Sequence, residues 1–392
     1  MRRTELLQEI RQMRFTEAFD GWQERRLSQA EAARLLGVHE RTFRRYIDRY
    51  HDEGLAGLAD KRLSQVSHRK APVDEVVRLE ALYRERYDGW NVKHFHWHYR
   101  HRHDGQRSYT WVKNQLQSAG LVKKAPGRGK HRKRREPSPL PGMMIHQDGS
   151  RHAWVPGQDW DLIVTMDDAT NEHYSMFFVD EEGTASSFRG VHETIAAQGL
   201  FCSIYTDRGS HYWFTPKAGS KVDKTRPTQF GRAMAQLGIE MIPAYSPEAR
   251  GRSERAFATH QDRLVKELAA AGITTLQAAN QYLNEVYRPA FNQEFKRPAR
   301  EAGTAFVPLM GVELSDILCE HFERTVGNDN CVSFDNLRLQ IPQTNERVYY
   351  RKLKVRIHRY PDRSLALFHG PRLLNRFNPD GTPLDQSIQA AA

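Results

Sequence analysis

Two bursts of helical periodicity flank a glycine near the start of the chain, in LSQAEAARLLGVHERTFRRYIDRYHDEGLAGLADKR (Leu27 to Arg62). Ser28 with Glu31 three positions on is a capping-box signature, and Ala32, Leu35 and Leu36 supply the apolar face of a first helix. Gly37 ends it and Val38 turns inward. A second helix from about Glu40 to Arg49 buries Phe43, Tyr46 and Ile47 while it exposes Arg41, Thr42, Arg44 and Arg45. The pair predicts a helix-turn-helix whose second helix can reach base edges and phosphates in a major groove. A similar succession follows: a helix over Val73–Tyr87, a break at Asp88–Gly89, a helix from Asn91, and a last one over Ser108–Ser118 closed by Gly120.

Past Pro139 the texture changes to apolar and β-branched runs divided by turns. MMIHQDGSRHAWVP, WDLIVTMDDATNEHYSMFFVDE and LFCSIYTDRGSHYW read as strands, with helices over Thr184–Ala197 and Thr228–Leu237. MIPAYSPEARGRSERAFATHQDRLVKELAAAG then runs from a short strand through a Ser–Pro loop into a helix ending near Gly272, with Phe257, Leu264 and Leu268 at helical spacing. This predicts an α/β domain. Residues from about Thr275 to Glu323 look helical, with an aromatic stripe at Tyr282, Tyr287, Phe291 and Phe295 that reads as core. Beyond them CVSFDNLRLQIPQ and YYRKLKVRIHRYPDRSLALFHGPRLLNRF alternate apolar with polar residues, the pattern of a small antiparallel β-barrel. Lys352, Lys354 and Arg356 on one of its strands offer a further DNA or partner contact. The chain thus divides into a helix-turn-helix domain (1–65), a second helix-turn-helix-like domain (66–125), a basic linker (126–140), an α/β core (141–275), a helical connector (276–330), a small barrel (331–378) and a tail (379–392).

Charge sharpens this division. Residues 1–140 carry 31 Lys+Arg against 18 Asp+Glu, whereas the remaining 252 carry 28 against 30, so the whole net charge of +11 resides in the N-terminal third. That asymmetry points to a polyanion bound by one end of the chain and different work at the other. The densest run, KKAPGRGKHRKRRE, offers Lys123, Lys124, Arg128, Lys130, Arg132, Lys133, Arg134 and Arg135 to phosphates. Cys202, Cys319 and Cys331 form no CxxC pair, which argues against a disulfide framework and a cysteine zinc site. With neither a long apolar run nor a signal-peptide core, the chain is expected in the cytoplasm, nucleoid-associated when on DNA, with no membrane partner.

Two features carry candidate chemistry. In HFHWHYRHRH, His94, His98 and His101 fall at i, i+4 and i+7 on one helix face, but no nearby carboxylate or cysteine completes a metal spacing, so packing and phosphate contacts are expected of them. Asp148 in IHQDGS and Asp207 in IYTDRGS each end a strand, where a carboxylate is rigidly held and still reaches solvent. Glu254 lies one turn before Phe257, so its side chain leans towards the face packed on the sheet and can meet both aspartates. Three converging carboxylates repel unless divalent cations are present, which implies Mg²⁺ or Mn²⁺. Asp167 and Asp168 compete with Asp148, and Glu248 and Asp262 with Glu254.

Asp148 in QDGS, Asp207 in YTDRGS and Glu254 in YSPEARGRSER resemble the Asp, Asp and Glu of the retroviral-integrase superfamily. Over nearly its whole length the chain resembles bacterial insertion-sequence transposases with an integrase-like (DDE) core, particularly the ISNCY type. The resemblance implies an RNase H-like core with a mixed five-stranded sheet and helices, N-terminal helix-turn-helix units and a C-terminal β-barrel. It further implies catalysis with two metal ions bound by Asp148, Asp207 and Glu254, cutting the ends of an element and joining them to target DNA. Arg250 and Arg252 would hold phosphates, and two ends joined in one event call for a homodimer or larger assembly. Glu254 lies 47 positions after Asp207, longer than in retroviral integrases, with FTPKAGSKVDKTRPTQFG as an exposed insert. The alternatives are a non-catalytic DNA-binding regulator that keeps the fold as a scaffold, and a nuclease without strand transfer.

Overall fold

A computed structural model describes residues 3–59, 71–124, 136–217, 220–245, 251–343 and 347–384. Two compact units divide the chain, Met1–Arg86 and Tyr87–Ala392. Among the described residues no helix is long and apolar enough to cross a membrane.

The first unit holds α1 (Arg3–Gln23), α2 (Gln29–Leu35), α3 (Glu40–Glu53) and α4 (Val73–Arg86). The capping box forms: Ser28 Oγ accepts from Glu31 N at 3.2 Å while Ser28 N donates to Glu31 Oε2 at 2.8 Å. Gly37 takes the left-handed φ of +67° that lets the chain turn between α2 and α3, a conformation that penalises any side chain with a Cβ. Phe15, Phe19, Ala32, Ala33, Phe43 and Ile47 make one core. Leu35, expected inside, is 57% exposed, because α2 is seven residues long and its buried stripe runs through Ala32, Ala33 and the partly buried Leu36. Arg41, Arg44 and Arg45 are exposed along α3 and Thr42 is half-buried.

The second unit opens with α5 (Val92–Arg102) and α6 (Tyr109–Ser118), capped by Asn91 and Ser108. Its centre is a sheet in the order β3-β2-β1-β4-β5, formed by β1 (Ile145–Val155), β2 (Gln158–Asp167), β3 (His173–Val179), β4 (Ser203–Thr206) and β5 (Glu240–Pro243). β1, β2 and β3 form an antiparallel meander, and β4 and β5 add in parallel beyond β1. This mixed five-stranded sheet has RNase H-like topology. α7 (Thr184–Gln198) and α8 (Gln229–Gln236) cover one face through Phe188, Val191, Ile195, Phe230 and Met234. α9 (Ser253–Ala270), α10 (Leu276–Tyr282) and α11 (Arg288–Phe295), with the π-helical turn Leu283–Tyr287 between the last two, cover the other through Phe257, Leu264, Leu268, Ala279, Tyr287 and Phe291 against Trp154, Trp160 and Phe178.

α7 approaches the sheet closely at Gly190, where a Cβ would lie 2.3 Å from Gln147 Nε2 and 2.7 Å from Thr165 Oγ1. Gln147 is buried there and fully engaged: its Nε2 donates to Thr165 Oγ1 and Ser187 O, both at 3.1 Å, and its Oε1 accepts from Tyr212 OH at 3.1 Å. One side chain therefore ties β1 to β2, α7 and the loop after β4. Gln147→Met keeps the length and loses all three bonds, so it is expected to cost about 1–3 kcal/mol, seen as a lowered urea midpoint at unchanged slope.

The stretch expected to stay helical to Glu323 leaves helix after Phe295, apart from α12, a single turn at Leu314–Ile317. It then supplies β6 (Glu320–Thr325), whose residues pair along the whole of β9 (Lys354–Arg359). With β10 (Leu365–His369) and β11 (Arg372–Phe377) these form a four-stranded antiparallel sheet, while β7 (Cys331–Phe334) and β8 (Leu337–Gln340) form a separate hairpin sharing its core. Among the described residues the two sheets do not close into the expected barrel by hydrogen bonding. Lys354 pairs with Glu323 across the β6–β9 register at 2.5 Å.

Candidate active site

Parallel pairing of β1 with β4 aligns Ile145 with Ile204 and His146 with Tyr205. Continued two residues on at the same offset, that register would bring Asp148, within β1, opposite Asp207, the residue after β4, on one face of the sheet. Each aspartate is steadied by a following glycine: Gly149 N donates to Asp148 Oδ1 at 3.1 Å and Gly209 N to Asp207 Oδ1 at 2.8 Å. Asp148 is 7% exposed and Asp207 half-buried, so both sit at the rim of the core. Tyr212 reports the local field. Burial raises its pKa well above the ordinary value, and the charges of Glu182, Asp148 and Asp207 raise it further.

α9 runs alongside β1. Arg252, just before α9, pairs with Asp168 Oδ1 at 3.3 Å, and that oxygen also meets His146 Nε2 at 2.8 Å. Further along, Gln261 Nε2 donates to Ser150 Oγ at 3.0 Å. His146, Asp148 and Ser150 share a strand face, so the helix passes them in that order. Glu254 lies two residues after Arg252 and seven before Gln261, so it shares the helix face of Gln261 two turns nearer the start of α9. Its side chain is exposed. Among the described residues, Asp148, Asp207 and Glu254 are not a set with ligand atoms all within 4.8 Å of one another. Both aspartates therefore lie close enough to Tyr212 for their charges to act on it, and the helix that bears the third carboxylate runs along β1.

The competing carboxylates have other duties. Asp167 is fully buried and accepts from Gly142 N at 2.9 Å and from Thr170 N and Oγ1 at 2.8 and 2.9 Å, closing the β2–β3 turn; burial nevertheless raises its pKa. For Asp168 burial also acts upwards, but the hydrogen bond and charge of His146, the Ser138 N–H and Arg252 outweigh it and hold the carboxyl well below its usual range. Asp262 pairs with Lys266 at 2.6 Å and with Asn91. Arg252, expected on a phosphate, is committed to the Asp168 carboxylate and also donates to the Asp168 carbonyl, because the start of α9 lies against the end of β2. Lys123 and Lys124 are exposed. Arg128, Lys130, Arg132, Lys133, Arg134, Arg135, Glu248 and Arg250 lie outside the described residues.

Sequence reasoning passed over two acidic residues. Glu182 packs so closely on β1 that a Cβ at Gly149 would lie 2.2 Å from its Oε2, yet its surroundings, VDEEG, look like a surface turn. Glu267 supplies the carboxylate that the histidine stretch was expected to lack: His94 Nε2 and His98 Nε2 lie 2.8 and 2.7 Å from its Oε1. The partner is 169 positions from His98, beyond any local spacing rule. His101 turns away to the Trp97 carbonyl at 2.8 Å.

Residues 20–72 match the winged helix-turn-helix family. "Putative transposase y4bF" of Sinorhizobium fredii (strain NBRC 101917 / NGR234) is 28% identical over 339 residues, covering 81% of this chain and 70% of that protein. The transposase for insertion sequence IS1202 of Streptococcus pneumoniae is 30% identical over 236 residues, 60% of this chain and 49% of that one. Among solved structures, the HTLV-2 integrase catalytic core in complex with magnesium aligns at 18% identity with a TM-score of 0.29, covering 38% of this chain and 88% of that one. A simian T-cell lymphotropic virus intasome in complex with the PP2A regulatory subunit B56 gamma aligns at 16% and 0.32, covering 70% and 92%. At these scores the likeness is too loose to place residues. The two sequence relatives are both named as transposases, one of them of an insertion sequence, and this chain is similar to them over 81% and 60% of its length.

Proposed function

We propose that the chain is the DNA transposase of an insertion sequence, binding the element's ends through α2–α3 and the basic linker and breaking and joining phosphodiesters at Asp148, Asp207 and Glu254. The observation that supports the chemistry is the parallel β1–β4 pairing of Ile145 with Ile204 and His146 with Tyr205: continued at the same offset it makes Asp148, within β1, a neighbour of Asp207, just past β4, on the sheet face along which the helix bearing Glu254 runs. A purely DNA-binding scaffold has no need of paired carboxylates at a solvent-facing rim.

An all-oxygen donor set on adjacent strands suits Mg²⁺ or Mn²⁺. Magnesium takes one or two carboxylates and fills its remaining positions with water and substrate phosphate, so an open rim fits it better than a closed cage. Asp148 and Asp207 would hold the cations with Glu254 completing the set, and two such ions would supply activation of water or a 3′-hydroxyl and neutralise the charge developing at phosphorus. The chain's own residues position these groups: the glycine N–H groups orient the two aspartates, and the His146–Asp168–Arg252 contacts fix where α9 begins. Arg41, Arg44 and Arg45, with Thr42 beside them, face outward to read a groove and neutralise phosphates. Joining two ends to one target calls for a dimer or larger assembly.

The test places the gene's native flanks around a marker on a donor plasmid, supplies the protein with Mg²⁺, and sequences new DNA junctions. Junctions that begin at the element's ends with wild type, and vanish with Asp148→Asn and with Asp207→Asn, are the expected result. End binding without junctions would favour the regulator. Cut ends that never join would make the chain a nuclease.

A further inference from the structure

We propose that His94, His98 and Glu267 form a structural zinc site that pins α5 to α9. His94 and His98 stand one turn apart on α5, are 2% and 0% exposed, and direct their Nε2 atoms at the same Glu267 oxygen. The three ligand atoms lie within 4.8 Å of one another. The two rings are inclined at 69° and do not stack, and their Nε2 atoms converge on one point, the shared Glu267 oxygen. Neither Nδ1 has a hydrogen-bond partner among the described residues, so each ring is oriented by what its Nε2 meets.

The surroundings have the parts a zinc site uses. Tyr282 OH donates to the second Glu267 oxygen at 2.8 Å and so fixes the carboxylate from outside, the role an outer hydrogen bond plays at metal centres. Trp90 stacks on His94 with centroids 4.3 Å apart and meets His98 edge-on, which holds both rings away from bulk water. Two imidazoles and one carboxylate are a donor set for zinc and a poor one for magnesium, which demands oxygen. Ligand atoms about 2.0–2.1 Å from a tetrahedral ion sit about 3.3 Å apart, so the present 2.7 and 2.8 Å spacings open by roughly half an ångström on loading. A cleft lined by His94, Glu267, Tyr282, Arg102 and Arg263 adjoins the cluster, with Arg102 3.6 Å from the outer Glu267 oxygen, and water from it would fill the fourth position.

A second histidine cluster makes the contrast. Cys319, His321 and His358 are as close together, but the two imidazoles stack face to face at 3.9 Å and 7°, so their lone pairs run parallel and cannot share an ion.

The site does not depend on what the chain does to DNA, and its test is correspondingly independent of strand transfer. Full-length protein is purified without chelator and its metal content measured. About one zinc per chain is expected. Stripped protein titrated with Co²⁺ should develop the visible absorption of a four-coordinate nitrogen–oxygen site, lost in His98→Gln and in Glu267→Gln. Adding Zn²⁺ to stripped wild type should raise its melting temperature by about 4 °C or more and leave His98→Gln unmoved. A wild type isolated without zinc, spectroscopically silent with Co²⁺ and thermally indifferent to Zn²⁺, would overturn the proposal. Equal Co²⁺ spectra from wild type and variants would do the same. Should the variants fail to fold, the wild-type titrations decide alone.

Discussion

Glu254→Gln is expected to lower Mg²⁺-dependent cleavage of end DNA by about 10³-fold or more, with affinity for that DNA within about twofold of wild type. The substitution removes one ionised oxygen and keeps the shape. Glu254 is exposed in the first turn of α9, so the change should move stability by less than about 0.5 kcal/mol. Lost activity therefore cannot be assigned to unfolding, a separation that Asp148→Asn, at a position 7% exposed, does not offer so cleanly. Gel-shift affinity and single-turnover cleavage on one protein preparation make the measurement. A variant that cuts at the wild-type rate would remove Glu254 from the site and return attention to Glu182, whose charge reaches Tyr212 together with those of Asp148 and Asp207.

The second large effect is acid sensitivity of the fold. Tyr287 OH, His260 and His173 form a buried chain: His260 Nδ1 lies 3.1 Å from Tyr287 OH, His260 Nε2 lies 3.0 Å from His173 Nε2, and His173 Nδ1 lies 3.0 Å from the Asn171 carbonyl. The carbonyl can only accept, so His173 carries its proton on Nδ1 and receives at Nε2. His260 must then donate from Nε2 and accept the tyrosine hydroxyl at Nδ1. Both rings are neutral, and neither has room for a second proton.

Burial accordingly drives the His173 pKa down to about 4 and that of His260 well below its usual value. The unfolded chain, with histidines near 6.5, binds more protons than the native state throughout the interval between, so stability rises with pH there. It is full above about pH 6.5 and is lost as pH falls towards 4. Between pH 6.5 and 5 the loss is about 2 kcal/mol per histidine. His321 and His358, whose pKa values burial lowers to about 3, act in the same direction. Urea melts at pH 7.5, 6 and 5 should show the decline, and His260→Gln should flatten it by about one proton's worth. A wild type equally stable at pH 7.5 and 5 would refute the neutral chain, as would histidine resonances of this pair titrating near 6.5.

Features carried by neighbouring residues were legible in the sequence. The Ser28–Glu31 capping box, the helix starts at Asn91 and Ser108 and the turn at Gly37 are local, and each forms as its residues imply. α1 was not legible, because its early apolar residues Leu7, Ile10 and Met13 are 56%, 42% and 65% exposed while burial falls on Phe15, Ala18 and Phe19. Asp207 follows the end of β4 as expected, whereas Asp148, expected to end a strand, stands at the fourth position of the eleven-residue β1, which runs on through polar residues to Val155; that β4 joins β1 and not β3 is something no local pattern encodes. Glu267 fared worst. On its own helix it reads as a surface residue of an amphipathic stretch, and its meaning comes from α5, across the fold.

The β1–β4 register also sorts which changes of length the chain can absorb. The chain between Asp148 and Asp207 runs through the rest of β1, through β2 and β3 and over α7 before it returns beside β1 as β4, so the loops joining these elements can lengthen or shorten and leave the β1–β4 register aligned. One residue added inside Ile145–Asp148 or Ile204–Asp207 would turn a carboxylate to the opposite face, against α7. Natural variants of this chain should therefore differ freely at the hairpin turns and the edges of α7, while these two four-residue windows keep their count.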